Sequence, residues 1–133
     1  NNELKYYNFW NYIQYDEAQN LVKEIQEGDG VKYTFGFKSV YVENYQAQIY
    51  GETDKASRTA ICQVDTNNFI LISTPVISMH VVASYLQSQG CRIALNLDGG
   101  GSQNLFYKRN DTGLQALLVT SRPVADAVFF HEK

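Results

Sequence analysis

The segment Ile93-Ala94-Leu95-Asn96-Leu97-Asp98-Gly99-Gly100-Gly101-Ser102 constrains this chain more than any other. An apolar run that stops on a carboxylate followed by three glycines reads as a strand delivering an acidic side chain to a turn. Side chains alternate along a strand, which puts Ile93, Leu95 and Leu97 on one face. Ala94, Asn96 and Asp98 share the other, and the polar pair is expected to point away from the core. Contiguous glycines let the backbone take positive φ and approach a ligand with no Cβ in the way. Successive amides in such a turn form an anion nest, and Ser102 adds a hydroxyl able to donate to the same anion. Plainer readings stay open beside this one: a flexible connector, a tight turn without chemistry, or a metal site at Asp98. For a metal, Asn96 and Asp98 supply oxygen but no further carboxylates cluster nearby, so none is assigned. The string is not a dinucleotide fingerprint, because its glycines are contiguous and no helical period follows.

Around that string is one domain's worth of chain. The 133 residues are 44% hydrophobic and 19% charged, far from the composition of a disordered segment. Eleven Lys and Arg against fourteen Asp and Glu give a net charge of −3, which offers no footprint for nucleic acid. No apolar run approaches the roughly 20 residues that span a bilayer, and Asn1-Asn2-Glu3-Leu4-Lys5 lacks the regions of a signal peptide. Cys62 and Cys91 are the only cysteines. Two buried free thiols is the plainer reading, and a single bridge is open to an exported chain.

Hydrophobic periodicity predicts a helix over Asp16–Gln26, with Asp16 and Gln19 spaced as a capping box and Gly28 at its exit. A second is predicted over Met79–Gln89, opened by Ser78, closed by Gly90, with Val82, Tyr85 and Leu86 on its apolar face. β-branched and aromatic runs predict strands at Val31–Phe37, Ser39–Glu43, Ala47–Tyr50, Arg58–Val64, Phe69–Ser73, Arg92–Leu97, Asn104–Lys108, Gln115–Thr120 and Val124–Phe130. Two helices among eight or nine short strands do not alternate as a doubly wound fold does. The fold class is therefore α+β: a single domain with a mixed, mostly antiparallel sheet, the second helix joining neighbouring strands.

Two further strings place an arginine at the start of an apolar strand: Ser57-Arg58-Thr59-Ala60-Ile61-Cys62 and Ser121-Arg122-Pro123-Val124-Ala125-Asp126-Ala127-Val128. Either arginine alone reads as a solvated strand end. Together with Asp98-Gly99-Gly100-Gly101-Ser102, in this order and spacing, the three strings resemble the phosphodiester glycosidase family. Its members carry strings like Arg-Thr-Ala-Ile-Gly, Asn-Leu-Asp-Gly-Gly-Gly-Ser and Arg-Pro-Val-Ala-Asn-Ala. The resemblance covers at least Tyr33 to the end, with Gly36 in place of the glycine of a Phe-Gly-Pro segment. The chain departs from the pattern at Cys62 for glycine, Asp126 for asparagine, Gln103-Asn104 for small hydroxyl residues, and Thr74-Pro75 for Asp-Gly. The family's earlier Asn-Gly-Gly-Phe-Phe stretch has no counterpart, so an upstream segment or another chain is expected to complete the domain.

The resemblance implies a hydrolase acting on the glycosidic bond of a sugar 1-phosphodiester or cell-surface glycan, without a cofactor, in a secreted, periplasmic or cell-surface setting. A departing phosphate monoester has its second pKa near 6 and leaves without strong acid help. Arg58, Arg122 and the amides of Gly99, Gly100 and Gly101 are then expected to hold the phosphate, with Asn96 and Ser102 beside them. Asp98 is expected to stabilise or attack the anomeric centre. Glu52, Asp54 and Asp126 compete as a second carboxylate, Asp126 reading more readily as a hydrogen-bonded core residue. His80 and His131 read as surface residues, and packing accounts for Tyr33, Tyr41, Tyr45 and Tyr50 as well as sugar stacking does. Asn110-Asp111-Thr112 is a glycosylation sequon, relevant only on a eukaryotic secretory route. A binding module for carbohydrate or phospho-glycan on the same scaffold is the alternative, and a structural domain the third.

Overall fold

The structure, a computed structural model, describes residues 37–51, 53–109 and 113–118, with positions 3–5, 20, 23, 27 and 28. The chain divides into two compact units, Leu4–Gly36 and the remainder, Asn1–Glu3 with Phe37–Lys133. The second unit contains strands β1 (Ser39–Glu43), β2 (Gln46–Ala47), β3 (Lys55–Gln63), β4 (Phe69–Ser78), β5 (Ile93–Leu97), β6 (Leu105–Arg109) and β7 (Gly113–Leu118), and helix α1 (Met79–Ser88). Five strands form a sheet in the order β2-β1-β5-β3-β4, while β6 and β7 pair as a separate hairpin. Every pairing is antiparallel, so the expectation of a mixed sheet is corrected for the described residues. The expected strands Val31–Phe37 and Val124–Phe130 lie outside them apart from Phe37, which is not in a strand. So does most of the helix expected at Asp16–Gln26, of which Asn20 and Lys23 are described, helical and exposed.

Helix α1 follows β4 without a loop because Ser78 ends the strand in an extended conformation and caps the helix, its Oγ accepting from the Val81 N–H at 3.4 Å. At the other end Gly90, at φ +78°, reverses the chain and donates to the Gln87 carbonyl, as helix exits in the left-handed region do. Met79, Val82, Ala83 and Leu86 form the buried stripe, and Tyr85 is 51% exposed. That corrects the expected face: Tyr85 is exposed on the outer side, as is Val81 four residues earlier, and Ala83 takes the inner position. The helix connects β4 to β5, which are not neighbours, because β3 lies between them. Both run antiparallel to β3 and hence parallel to each other, so the helix is a crossover of the kind parallel strands require.

Val42, Ala60, Cys62 and Ala94 form the sheet's side of the core under α1, with Ile70 and Ile72 packed beside them. Register explains the grouping: Ala60 faces Asn96 and Ile72, and Cys62 faces Ala94 and Ile70. The opposite face, with Ile61, Ile93 and Leu95, is buried too. A strand buried on both faces reads as a near-continuous apolar run, a pattern that Ile93–Leu97 follows except at Asn96. Truncating Leu86, fully buried over this sheet, to alanine costs about 2–5 kcal/mol. Among the described residues no helix is long and apolar enough to cross a membrane.

Cys62 and Cys91 are joined by a disulfide, their Cα atoms 5.8 Å apart, and both are fully buried. The reading of two free thiols is thereby corrected. Cys62 sits in β3 and Cys91 just before β5, and Gln63 pairs with Ile93, so the two strands already hold these positions side by side. β4 also departs from expectation by continuing past Ser73 through Thr74-Pro75 to Ser78. Ser57 pairs with Val76 and Arg58 with Thr74, which leaves Pro75 unpaired in a bulge of a strand at the end of the sheet order. Proline has no N–H for a ladder, and an outer strand with a bulge is where a sheet tolerates it.

Candidate functional site

β5, the middle strand of the five, carries the central string to its C-terminal end and stops at Leu97. The next residue, Asp98, turns its carboxylate on its own backbone: Oδ1 accepts the Gly99 N–H at 3.1 Å. Gly100, Gly101 and Ser102 then form one turn of 3₁₀ helix, with Ser102 N–H donating to the Gly99 carbonyl and Gln103 N–H to that of Gly100. Gly100 has φ +59°, the left-handed backbone expected of this string. Gly99 needs to be glycine for a different reason, since a Cβ there would run into the carbonyl of Ser57. The turn therefore lies directly on the backbone of β3 where Arg58 begins its apolar half.

Asp98 is accessible, its side chain 49% exposed. The Ser102 hydroxyl donates to it, Lys38 forms an ion pair with Oδ1 at 3.1 Å, and the Gly99 N–H adds a third donor. These contacts, the Ser102 hydrogen bond first and Lys38 second, hold the carboxyl below the usual aspartate range against the opposing effect of burial. Donors to the charged form stabilise it, so Asp98 is a carboxylate at any pH near neutral. Ser102 itself is buried. Its hydroxyl, expected to face a ligand, serves the neighbouring carboxylate.

Asn96 is 3% exposed and lies on the helix-covered face, opposite Ala60. The expectation that it points away from the core is corrected. Its Nδ2 donates to Ser39 Oγ at 3.1 Å, tying β5 to β1. Arg58 follows in line with Asp98, because Thr59 pairs with Leu97. Its guanidinium, however, is directed to Asp54: Nη2 lies 3.0 Å from Oδ2 and donates to the backbone carbonyl at 3.1 Å. Asp54, one of the three candidate second carboxylates, is thus the partner of Arg58. Glu52, Asp126 and Arg122 lie outside the described residues, as do His131, Tyr33, Gly36 and the sequon at 110–112.

Two residues that sequence reasoning did not single out as functional complete the site's frame. Gln103, 4% exposed, donates from Nε2 to the carbonyls of Arg58 and Thr74, 2.5 and 3.4 Å away. Thr74 Oγ1 accepts the Arg58 N–H at 3.1 Å, so the glutamine fastens the glycine turn to β3 and β4 at the bulge. Its only signal in the sequence was a departure from small hydroxyl residues. Lys38 precedes β1 and has no signal in the sequence, because only the β1–β5 pairing brings it to Asp98.

The tyrosines divide. Tyr41 is fully buried, edge-on to Tyr50 with ring centroids 6.1 Å apart. Tyr50 donates to the Val40 carbonyl. Burial pushes the Tyr41 phenol up to about 12, with Arg58 pulling the other way. Tyr45 is not in a strand. It forms, with Asn44, the left-handed pair of the β1–β2 turn at φ 65° and 49°, and is 53% exposed. Two successive positive φ values are what a two-residue hairpin loop requires. His80 is exposed on α1.

In comparison with known families, residues 8–131 match the family described as phosphodiester glycosidase. No curated protein and no solved structure matches the chain.

Proposed function

We propose that this chain, which belongs to the phosphodiester glycosidase family, hydrolyses the bond between a sugar's anomeric carbon and a phosphodiester. The observation that carries the proposal is the accessible carboxylate of Asp98, held by Ser102, Lys38 and Gly99 immediately before the glycine turn. As positive charge grows on the sugar, that carboxylate stabilises it, either by attacking the anomeric carbon or by directing water to it. The phosphate departs with an electron pair and needs cations and donors rather than a strong acid. Arg122 and the amides of the glycine turn remain assigned to that side of the substrate, while the Ser102 hydroxyl holds Asp98, the Arg58 backbone carries the turn through Gln103 and Asn96 ties β5 to β1. The family and the buried disulfide both favour a secreted, periplasmic or cell-surface protein, since such bridges persist in oxidising compartments.

The pairing of Arg58 with Asp54 favours a second reading, a phospho-glycan binding module in which one guanidinium has been withdrawn from the substrate. Turnover decides between the two. Asp98→Asn is expected to reduce hydrolysis of a sugar 1-phosphodiester by at least about hundredfold, within the range carboxyl groups contribute to such reactions. Activity close to the parent's would remove Asp98 from the chemistry. A parent that retains an immobilised phospho-glycan without turnover would establish the binding module.

A further inference from the structure

We infer that Lys38 is a cation that receives the phosphate of a glycosyl phosphodiester beside Asp98, in the place that the family resemblance gives to Arg58. The inference rests on the reading of the chain as a phosphodiester glycosidase and adds a binding residue to it.

The positions of the charged side chains decide between candidates. The Arg58 guanidinium is bound to both the carboxylate and the backbone carbonyl of Asp54, and its side chain is 11% exposed. Arg92 precedes β5 and stands at the end of that strand away from Asp98, where it donates to Gln63 Oε1 at 2.9 Å. Lys38 is at the correct end. Its backbone N–H donates to the Asn96 carbonyl at 2.7 Å, which fixes its Cα two residues from Asp98 across the β1–β5 pairing. Its Nζ is 3.1 Å from Asp98 Oδ1, and the two side chains are 64% and 49% exposed. A ligand reaches both without displacing a buried group.

Charge supplies the reason for a cation at this place. Asp98 and a phosphodiester are both anions, and their repulsion grows when the departing phosphate takes up the bonding electron pair. A cation that touches the carboxylate and faces solvent offsets that repulsion at the point where it arises. An ammonium carries three N–H donors and no acceptor. One donor serves Asp98, which leaves two for phosphate oxygens on the solvent side.

The experiment is a titration with inorganic phosphate at constant ionic strength, followed by amide NMR shifts, on the parent, Lys38→Met and Lys38→Arg. Circular dichroism verifies that each variant is folded. The parent is expected to bind phosphate with shifts at Gly99–Gln103, Lys38→Met to bind about tenfold more weakly, and Lys38→Arg to recover most of the affinity, as expected for loss and return of one charged hydrogen-bond donor. Equal affinity in the parent and Lys38→Met, or no phosphate binding by the parent, overturns the assignment. Hydrolysis of a sugar 1-phosphodiester by the parent is measured in parallel. Turnover with binding that ignores Lys38 leaves the enzyme standing and removes this residue from it. Binding that depends on Lys38 without turnover supports this assignment on a phospho-glycan binding module.

Discussion

Gly99 lies against the carbonyl oxygen of Ser57 with no room for a Cβ between them. Backbone contact of this kind joins the glycine turn to β3 as firmly as a side-chain interaction would, and it makes the first glycine of the string a packing residue.

Gly99→Ala is therefore expected to cost about 1–3 kcal/mol through overpacking against β3. Gly100, at φ +59° with open space around its Cα, is a different case: Gly100→Ala costs about 1 kcal/mol for the left-handed backbone alone. Urea unfolding of the two variants gives the ranking. A Gly99→Ala protein as stable as the parent would show that the turn does not rest on Ser57.

Removing the disulfide is expected to cost about 3–4 kcal/mol, from the chain entropy of a closed loop of roughly 30 residues, the sequence separation being 29. Denaturation of the Cys62→Ala/Cys91→Ala double variant, with the parent measured with and without reductant, checks it. A double variant of unchanged stability would mean that the β3–β5 pairing alone holds this part of the core.

The Asp98 carboxyl, held below the ordinary value by Ser102 and then Lys38, ties stability and activity to acid pH in a definite direction. Its contribution is present above about pH 4, where the unfolded carboxyl is ionised, and is lost as pH falls through the lower folded value. Asp98→Asn should lose less stability than the parent over that fall. The acid limb of kcat/KM should lie below about pH 4 and move upward in Lys38→Met. Asp65, lowered by its bonds with Asn68 and Asn67, acts in the same direction, so the Asp65→Asn protein is the control. An acid limb unmoved by Lys38→Met would separate the ion pair from the chemistry.

Tyr41→Phe is expected to be neutral or slightly stabilising, because the buried phenol oxygen has no hydrogen-bond partner among the described residues and removing an unsatisfied polar group relieves its desolvation. In the parent the phenol should stay protonated until pH approaches 12, visible as a late step in ultraviolet titration. A loss beyond about 1 kcal/mol on removing the hydroxyl would reveal a hydrogen bond.

Local signals carried the second helix and the strand cores well. Ser78 and Gly90 bracket α1 as cap and exit residues, and the β-branched and aromatic run Ser39–Glu43 matches β1 end for end. What the sequence concealed depends on which strands meet. Asn96 looks outward-facing until both faces of β5 are covered, and its bond to Ser39 exists only because β1 lies beside β5. Lys38 acquires its partner from the same pairing. Thr74-Pro75 reads as a strand ending, since nothing local announces a bulge on an outer strand. Asp54 reaches Arg58 from the residue just before β3, a contact that no local signal announces. Two cysteines carry no pairing information by spacing alone.

The adjacency of β1 and β5 also sets an order of assembly. β3 and β4 meet through the short turn at residues 64–68, but Ser39 must find Asn96 across most of the described chain, and contacts between distant segments are the slow ones. Lys38 and Asp98 thus come together late, after the hairpin has formed. The ion pair beside the glycine turn is thus a local marker that the longest-range pairing of the five-stranded sheet has closed.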